Sequence, residues 1–139
     1  MRRTWLVAGL GAALLLTGCG ADKPKPYNAG WYAPFWNPQQ HLLYVGVNER
    51  TLDPGDSCFT AYTTHARWTG TEFAVTATAS MPNSSSHDAC NDMGVQAWAI
   101  VRLPHPFNGQ PMRDTRTGKV KREVSMSHPN PDQIVNRAT

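Results

Sequence analysis

The stretch that decides the fold runs from Cys58 to Met81: Cys58-Phe59-Thr60-Ala61-Tyr62-Thr63-Thr64-His65-Ala66-Arg67-Trp68, then Thr69-Gly70, then Thr71-Glu72-Phe73-Ala74-Val75-Thr76-Ala77-Thr78-Ala79-Ser80-Met81. It is rich in threonine, valine and aromatic residues and is broken once by a glycine, the pattern of a β-hairpin. With Thr69-Gly70 as a two-residue loop, Trp68 opposes Thr71. The pairs then run back as Ala66 with Phe73, Thr64 with Val75, Tyr62 with Ala77, Thr60 with Ala79 and Cys58 with Met81. That face is largely apolar. The opposite face pairs Arg67 with Glu72, His65 with Ala74 and Thr63 with Thr76, and is mostly polar. A slip of one residue would exchange the two faces, so burial fixes their sides.

Working outward, Leu42 to Asn48 alternates, with Leu43, Val45 and Val47 on one side, and reads as a strand. Leu52-Asp53-Pro54-Gly55-Asp56 is a turn, because proline presets φ and glycine accepts the left-handed position. Downstream of the hairpin, Pro82 to Asp92 is a polar loop. Met93 to Leu103 alternates again, with Val95, Ala97, Ala99, Val101 and Leu103 on one side. Trp98 and Ile100 occupy the other side, so this strand is expected to be covered on both faces. Pro104 and Pro106 end it. Met112 to Val124 holds a second hairpin around Asp114-Thr115-Arg116-Thr117-Gly118-Lys119, with Gly118 suited to a three-residue turn and bulge. No sustained helical period and no internal repeat follow Cys19. These elements predict an all-β fold: a small antiparallel sandwich or partly open barrel of about five or six strands over residues 42–124.

The first residues belong to a different physics. Met1-Arg2-Arg3 is basic, Trp5 to Leu16 is an uncharged apolar run, and Leu16-Thr17-Gly18-Cys19 follows at once. The run is shorter than the roughly 20 apolar residues of a membrane span. Its order of basic start, apolar middle and small-residue end is that of a secretory signal. Leu16-Thr17-Gly18-Cys19 resembles the lipobox of bacterial lipoproteins. The resemblance implies a diacylglycerol on the Cys19 sulfur and cleavage before it, leaving 1–18 as a removed signal peptide. Gly20, by the same resemblance, leans toward outer-membrane sorting in a host with two membranes. Arg2-Arg3-Thr4-Trp5-Leu6 is faintly similar to a twin-arginine signal, although two arginines are routine in such a leader. The segment from Leu103-Pro104 through Asp114 and Thr117-Gly118 to Val120 is loosely similar to stretches of exported proteins of high-GC bacteria, a similarity that carries no activity.

Residues 19–41 are read as the lipidated N-terminus and a tether. Lys23-Pro24-Lys25-Pro26 is a stiff, extended spacer, and five of the chain's aromatic residues fall between Tyr27 and Trp36. Residues 125–139, with Pro129 and Pro131, are expected to be poorly ordered. Removing Arg2 and Arg3 leaves 11 basic against 10 acidic residues, so the mature charge is near zero. Nothing in that balance favours nucleic acid or a polybasic membrane patch. With Cys19 consumed by lipid, Cys58 and Cys90 remain, and an oxidising compartment permits one bridge. In an antiparallel meander the strand after Asp92 would start near Met81, bringing Cys90 beside Cys58. A loop of this size gives about 3–4 kcal/mol in the chain-entropy account.

No catalytic or metal-binding constellation is legible. His41, His65, His87, His105 and His128 lack the close spacing of a helical metal pair. His87, Asp88 and Asp92 beside Cys90 are too few for a calcium loop. Ser84, Ser85 and Ser86 have no nucleophile elbow around them. Trp31, Tyr32, Phe35 and Trp36 are the candidate contacts, to a sugar, a peptide or the membrane interface. The alternative for them is closure of the sheet's apolar side, which this reading favours. A binding platform requires Trp31 and Trp36 to be exposed.

The expected role is therefore that of a membrane-anchored, extracytoplasmic, non-enzymatic envelope protein without cofactor or metal. It would be held in the cell or outer membrane through Cys19, with a protein or glycan partner. The alternatives are an inhibitor or exclusion lipoprotein that presents the Pro82–Asp92 loop to a hydrolase or a phage component, and an enzyme with a pocket that sequence does not reveal.

Overall fold

The computed structural model describes residues 24–85, 88–90, 94–122 and 128–136. Among them nearly half the residues are in β-strands, and there is no α-helix. The signal peptide, Cys19 and the middle of the Pro82–Asp92 loop lie outside the described residues.

The expected hairpin forms the centre of the first sheet. Its arms are β4 (Ala61–Trp68) and β5 (Phe73–Ser80). The faces are as read, but the pairing is displaced by two residues: Trp68 opposes Phe73, Ala66 opposes Val75, Thr64 opposes Ala77 and Tyr62 opposes Ala79. The cause lies in the loop. A two-residue loop of the favoured type needs positive φ at both positions, which a β-branched threonine resists. The loop opens to Thr69–Glu72 instead, with only Gly70 at positive φ, 102°. The Thr69 amide and hydroxyl both donate to the Glu72 carbonyl, each at 3.0 Å. The expected Arg67–Glu72 pair is thereby lost: Arg67 opposes Ala74, and Glu72 is held by Arg113 at 2.5 Å. On the outer face His65 opposes Thr76 and Thr63 opposes Thr78.

The other edge of β5 is shared end to end by two short strands. β1 (Tyr27–Ala29) pairs antiparallel with Ala77–Ala79, and β7 (Met112–Asp114) pairs parallel with Phe73–Val75. β7 turns back into β8 (Val120–Lys121), so the second expected hairpin is present, with Gly118 at φ 69°. The second sheet orders β2 (Tyr32–Asn37), β3 (Leu42–Glu49), β6 (Val95–Val101) and β9 (Ile134–Asn136). β9 runs parallel to β6.

The two sheets enclose one core. Leu43, Val45, Val47, Ala97, Ala99 and Val101 meet Phe73, Val75, Ala77, Ala79 and Tyr62, nearly all without solvent contact. β6 is covered on both faces, as its alternation implied. Its outer residue Trp98 joins Phe35 and Tyr44 in a second cluster, flanked by Ile100 and Ile134.

Two segments depart from their sequence reading. Residues 27–37, taken as tether, supply a strand to each sheet. Prolines forbid a helix there but not an edge strand. Ala33, at φ 45°, sits in a β-bulge between the Tyr32–Gly46 and Phe35–Tyr44 pairs. The bulge sends Phe35 to the outer cluster and Trp36 to the inner core. Residues 128–136, taken as disordered tail, close the sheet: a 3₁₀ turn at Pro131–Gln133, capped by Asn130, leads into β9. There the Asn136 amide reads like a strand backbone, accepting from the Ile100 amide at 2.5 Å and donating to its carbonyl at 3.0 Å. Thr64 of β4 donates to the same carbonyl at 2.5 Å, which draws the two sheets together on this side.

The disulfide joins Cys58 to Cys90, with Cα atoms 5.5 Å apart. The route differs from the expected meander: β6 lies in the opposite sheet from β5, so the bridge pins the crossover between sheets.

Candidate functional site

A cleft of about 940 Å³ opens at one end of the sandwich. That end gathers the finish of β3 at Glu49, the residues just before β4, the start of β1, and the β7–β8 turn. Gly30 and Trp31, which carry the chain from one sheet to the other, form one wall.

Trp31 is the floor. It is 2% exposed, and its indole N–H donates to the Val75 carbonyl at 3.2 Å. It fills the space where β1 stops and β7 begins along β5. Lys121 lies over its ring, 4.2 Å from the centroid, and pairs with Asp114 at 3.1 Å. Gly30 leaves room for a guanidinium: a Cβ there would stand 2.6 Å from the Arg116 Nη1.

The two acids of the cleft are both buried, and their pKa values move in opposite directions. Asp114 organises the β7–β8 turn. It accepts from the Arg116 amide at 2.9 Å, the Thr117 hydroxyl at 3.1 Å and the Lys121 ammonium. Burial pushes its pKa up, but these donors outweigh it and hold the carboxyl below its ordinary value. Glu49 is 1% exposed and, among the described residues, has no cation on it. Oε1 accepts from the amides of Arg50 at 2.9 Å and Thr60 at 3.0 Å, while Oε2 has no hydrogen-bond partner among the described residues. Burial dominates here and raises its pKa against those donors. Tyr62 stands close by, donating to the Asn48 carbonyl at 2.6 Å. Burial and then the Glu49 charge push its phenol well up.

The rim is cationic. Arg50, Arg116 and Lys119 are exposed and have no carboxylate partner among the described residues. Arg116 and Lys119 share the β7–β8 turn, and the fold brings Arg50 to them from the end of β3. A composition near neutrality conceals this local excess.

The sequence-read site residues are placed as follows. Trp31 is buried, Phe35 lies in the outer cluster, and Trp36 packs partly buried against Phe107 at a centroid distance of 5.3 Å. Tyr32 lies across Gly46, where an added Cβ would come within 2.6 Å of its ring. The exposed aromatic platform is therefore absent: β2 puts these rings on both faces of its own sheet. The described histidines are dispersed. His41 packs on Trp36, His105 on Trp68 and His128 on Phe35, while His65 is exposed on β4. Among the described residues no group of three His, Cys, Asp or Glu is placed to hold a metal. Ser84 is buried, and its neighbour Asn83 donates to the Pro54 carbonyl at 2.7 Å, tying the polar loop to the preceding turn. The sequence reading took Asp114, Arg116 and Lys119 only as a hairpin turn and gave Glu49 and Arg50 no role, because nothing local in the sequence joins that turn to the end of β3. No family model, curated protein or solved structure matches this chain.

Proposed function

We propose that this chain is an exported lipoprotein, held on the outer side of a bilayer through Cys19, and that its sandwich is a non-catalytic module that binds an anionic ligand at the cleft. The observation that carries the binding reading is the rim of Arg50, Arg116 and Lys119, three exposed cations around a floor closed by Trp31. Each acid of the cleft already holds backbone or a fixed cation. Glu49 secures the Arg50 and Thr60 amides, and Asp114 secures its own turn and Lys121. Both carboxylates are engaged in holding backbone amides, a turn hydroxyl and a fixed ammonium, which favours binding over turnover.

The anchor reading rests on the leader and its cysteine. Two or three acyl chains on one residue hold a protein firmly where a single chain does so only marginally. The test is fractionation of cells expressing the wild-type chain or Cys19→Ser. The wild-type chain is expected in the membrane fraction. The variant is expected to be released, or to remain uncleaved. An unchanged mass and membrane partition in the variant would overturn the anchor.

A further inference from the structure

We infer that the cleft end of the sandwich is the face that rests on the membrane, with Arg50, Arg116 and Lys119 seated among anionic phospholipid headgroups. The inference builds on the anchored-module reading and names its ligand.

Three observations converge. The first is position. Tyr27 lines the cleft, and only seven residues lie between it and Cys19. At full extension that span is at most about 29 Å, and Pro24 and Pro26 stiffen it. The chain enters the domain at β1, beside the cleft, so the tether holds this end nearest the anchor.

The second is charge. The rim cations are exposed and unpaired among the described residues, and Lys25 is exposed on the incoming segment. Asp53 and Asp56 are exposed at the same end but lie outside the cleft lining, each accepting from a backbone amide of its own loop. The opposite end also carries exposed cations, but not around a cleft. Arg67 and Arg102 stand there, at the ends of β4 and β6 remote from Glu49. They belong to separate sheets and do not line the cleft.

The third is side-chain type. Tyr27, 54% exposed, stands at the mouth among the cations. A tyrosine with an apolar body and a polar tip suits the headgroup level. Anionic headgroups complement the three charges of Arg50, Arg116 and Lys119.

The test uses the chain from residue 19 onward with Cys19→Ser and the disulfide intact, so neither an acyl chain nor the apolar leader contributes. It is mixed with vesicles of phosphatidylcholine alone, or of phosphatidylcholine with phosphatidylglycerol, and sedimented. The expected result is pelleting with the anionic vesicles only, weakening as salt rises. Replacing Arg50, Arg116 and Lys119 together by Gln is expected to weaken partition about a hundredfold, from three surface cations. Arg67→Gln with Arg102→Gln is expected to leave it unchanged. Arg50→Lys with Arg116→Lys is expected to retain it, because a headgroup layer attracts charge rather than a fixed fork. Circular dichroism of each variant reports that the fold is kept. Three results would overturn the inference: no preference for anionic vesicles, equal loss in the Arg67/Arg102 variant, or saturable binding of glycerol phosphate in solution without vesicle binding, which would make the cleft a small-anion site. Vesicle binding is read without lipidation, so its failure leaves the Cys19 anchor standing, and failure of the anchor leaves the vesicle result standing.

Discussion

Replacing Trp31 by Ala tests whether residues 27–37 are structure or tether. The indole is 2% exposed, lies in the core between the sheets and carries Lys121 on its face. Removing a buried tryptophan costs about 3–5 kcal/mol, with cavity formation included. The lost cation–π contact adds up to about 1 kcal/mol. The hydrogen bond adds less than usual, because the Val75 carbonyl also accepts from the Thr115 amide at 3.1 Å and is not orphaned. The sum, about 4–5 kcal/mol, is a large part of the 5–15 kcal/mol that holds a typical domain. Trp31→Phe keeps an aromatic ring in the space and is expected to cost about 1–2 kcal/mol. In a domain of this size roughly 4 °C of Tm accompanies each kcal/mol, so the Ala variant should melt some 15–20 °C below wild type and the Phe variant about 4–8 °C below. Thermal unfolding by circular dichroism, with urea titration as a second axis, reads both. If the Ala variant is as stable as the Phe variant, Trp31 is not a core residue and the assignment of β1 and β2 to the sandwich fails.

Further expectations follow from single contacts. Gly46→Ala drives a Cβ into the Tyr32 ring and should cost about 1–3 kcal/mol in urea unfolding; Tyr32→Ala in the same chain should recover part of it, and strictly additive costs would refute the clash. Reducing the Cys58–Cys90 bridge should lower stability by about 3–4 kcal/mol, seen as a Tm drop with reductant that Cys58→Ser with Cys90→Ser reproduces. Glu49 has a raised folded pKa, so the native state binds its proton more tightly than the unfolded chain does, and its contribution to stability falls as pH climbs above the ordinary value of 4.5. Glu49→Gln should flatten that slope and be at least as stable as wild type at neutral pH, and a variant less stable at pH 7 than at pH 4 relative to wild type would contradict the sign. Asp114 runs the other way: its lowered pKa gives stability that is present above about 3.8 and lost as pH falls through the folded value, so Asp114→Asn should cost about 1–3 kcal/mol at neutral pH and little in acid.

What could be read from the residues was whatever alternates locally. The hairpin, β3 and β6 each announce one buried side by period two, and Trp98 and Ile100 announced the second covered face of β6. The disulfide was also legible, although its route was not, because the meander assumed one sheet whereas β5 and β6 lie in different ones. Pairing register escaped by two residues at Thr69, where side-chain hydrogen bonding chose the loop length without changing the faces. Residues 27–37 and 128–136 escaped because their strands are short, interrupted by proline or a bulge, and stabilised by partners far away in sequence. Asn136 makes the point: a lone amide gives no sequence signal, yet it satisfies both backbone groups of Ile100. The cleft was illegible for the same reason. Arg50 and Arg116 meet only because β3 and the β7–β8 turn finish at one end of the sandwich.

The central claim is the acyl anchor that would bring the cleft to a bilayer, and intact-mass and N-terminal peptide analysis of the protein taken from its native membrane tests it most directly. The expected polypeptide begins at Cys19 and carries diacylglycerol on the sulfur. A polypeptide that keeps residues 1–18, or one whose Cys19 thiol is unmodified in a soluble fraction, would contradict it.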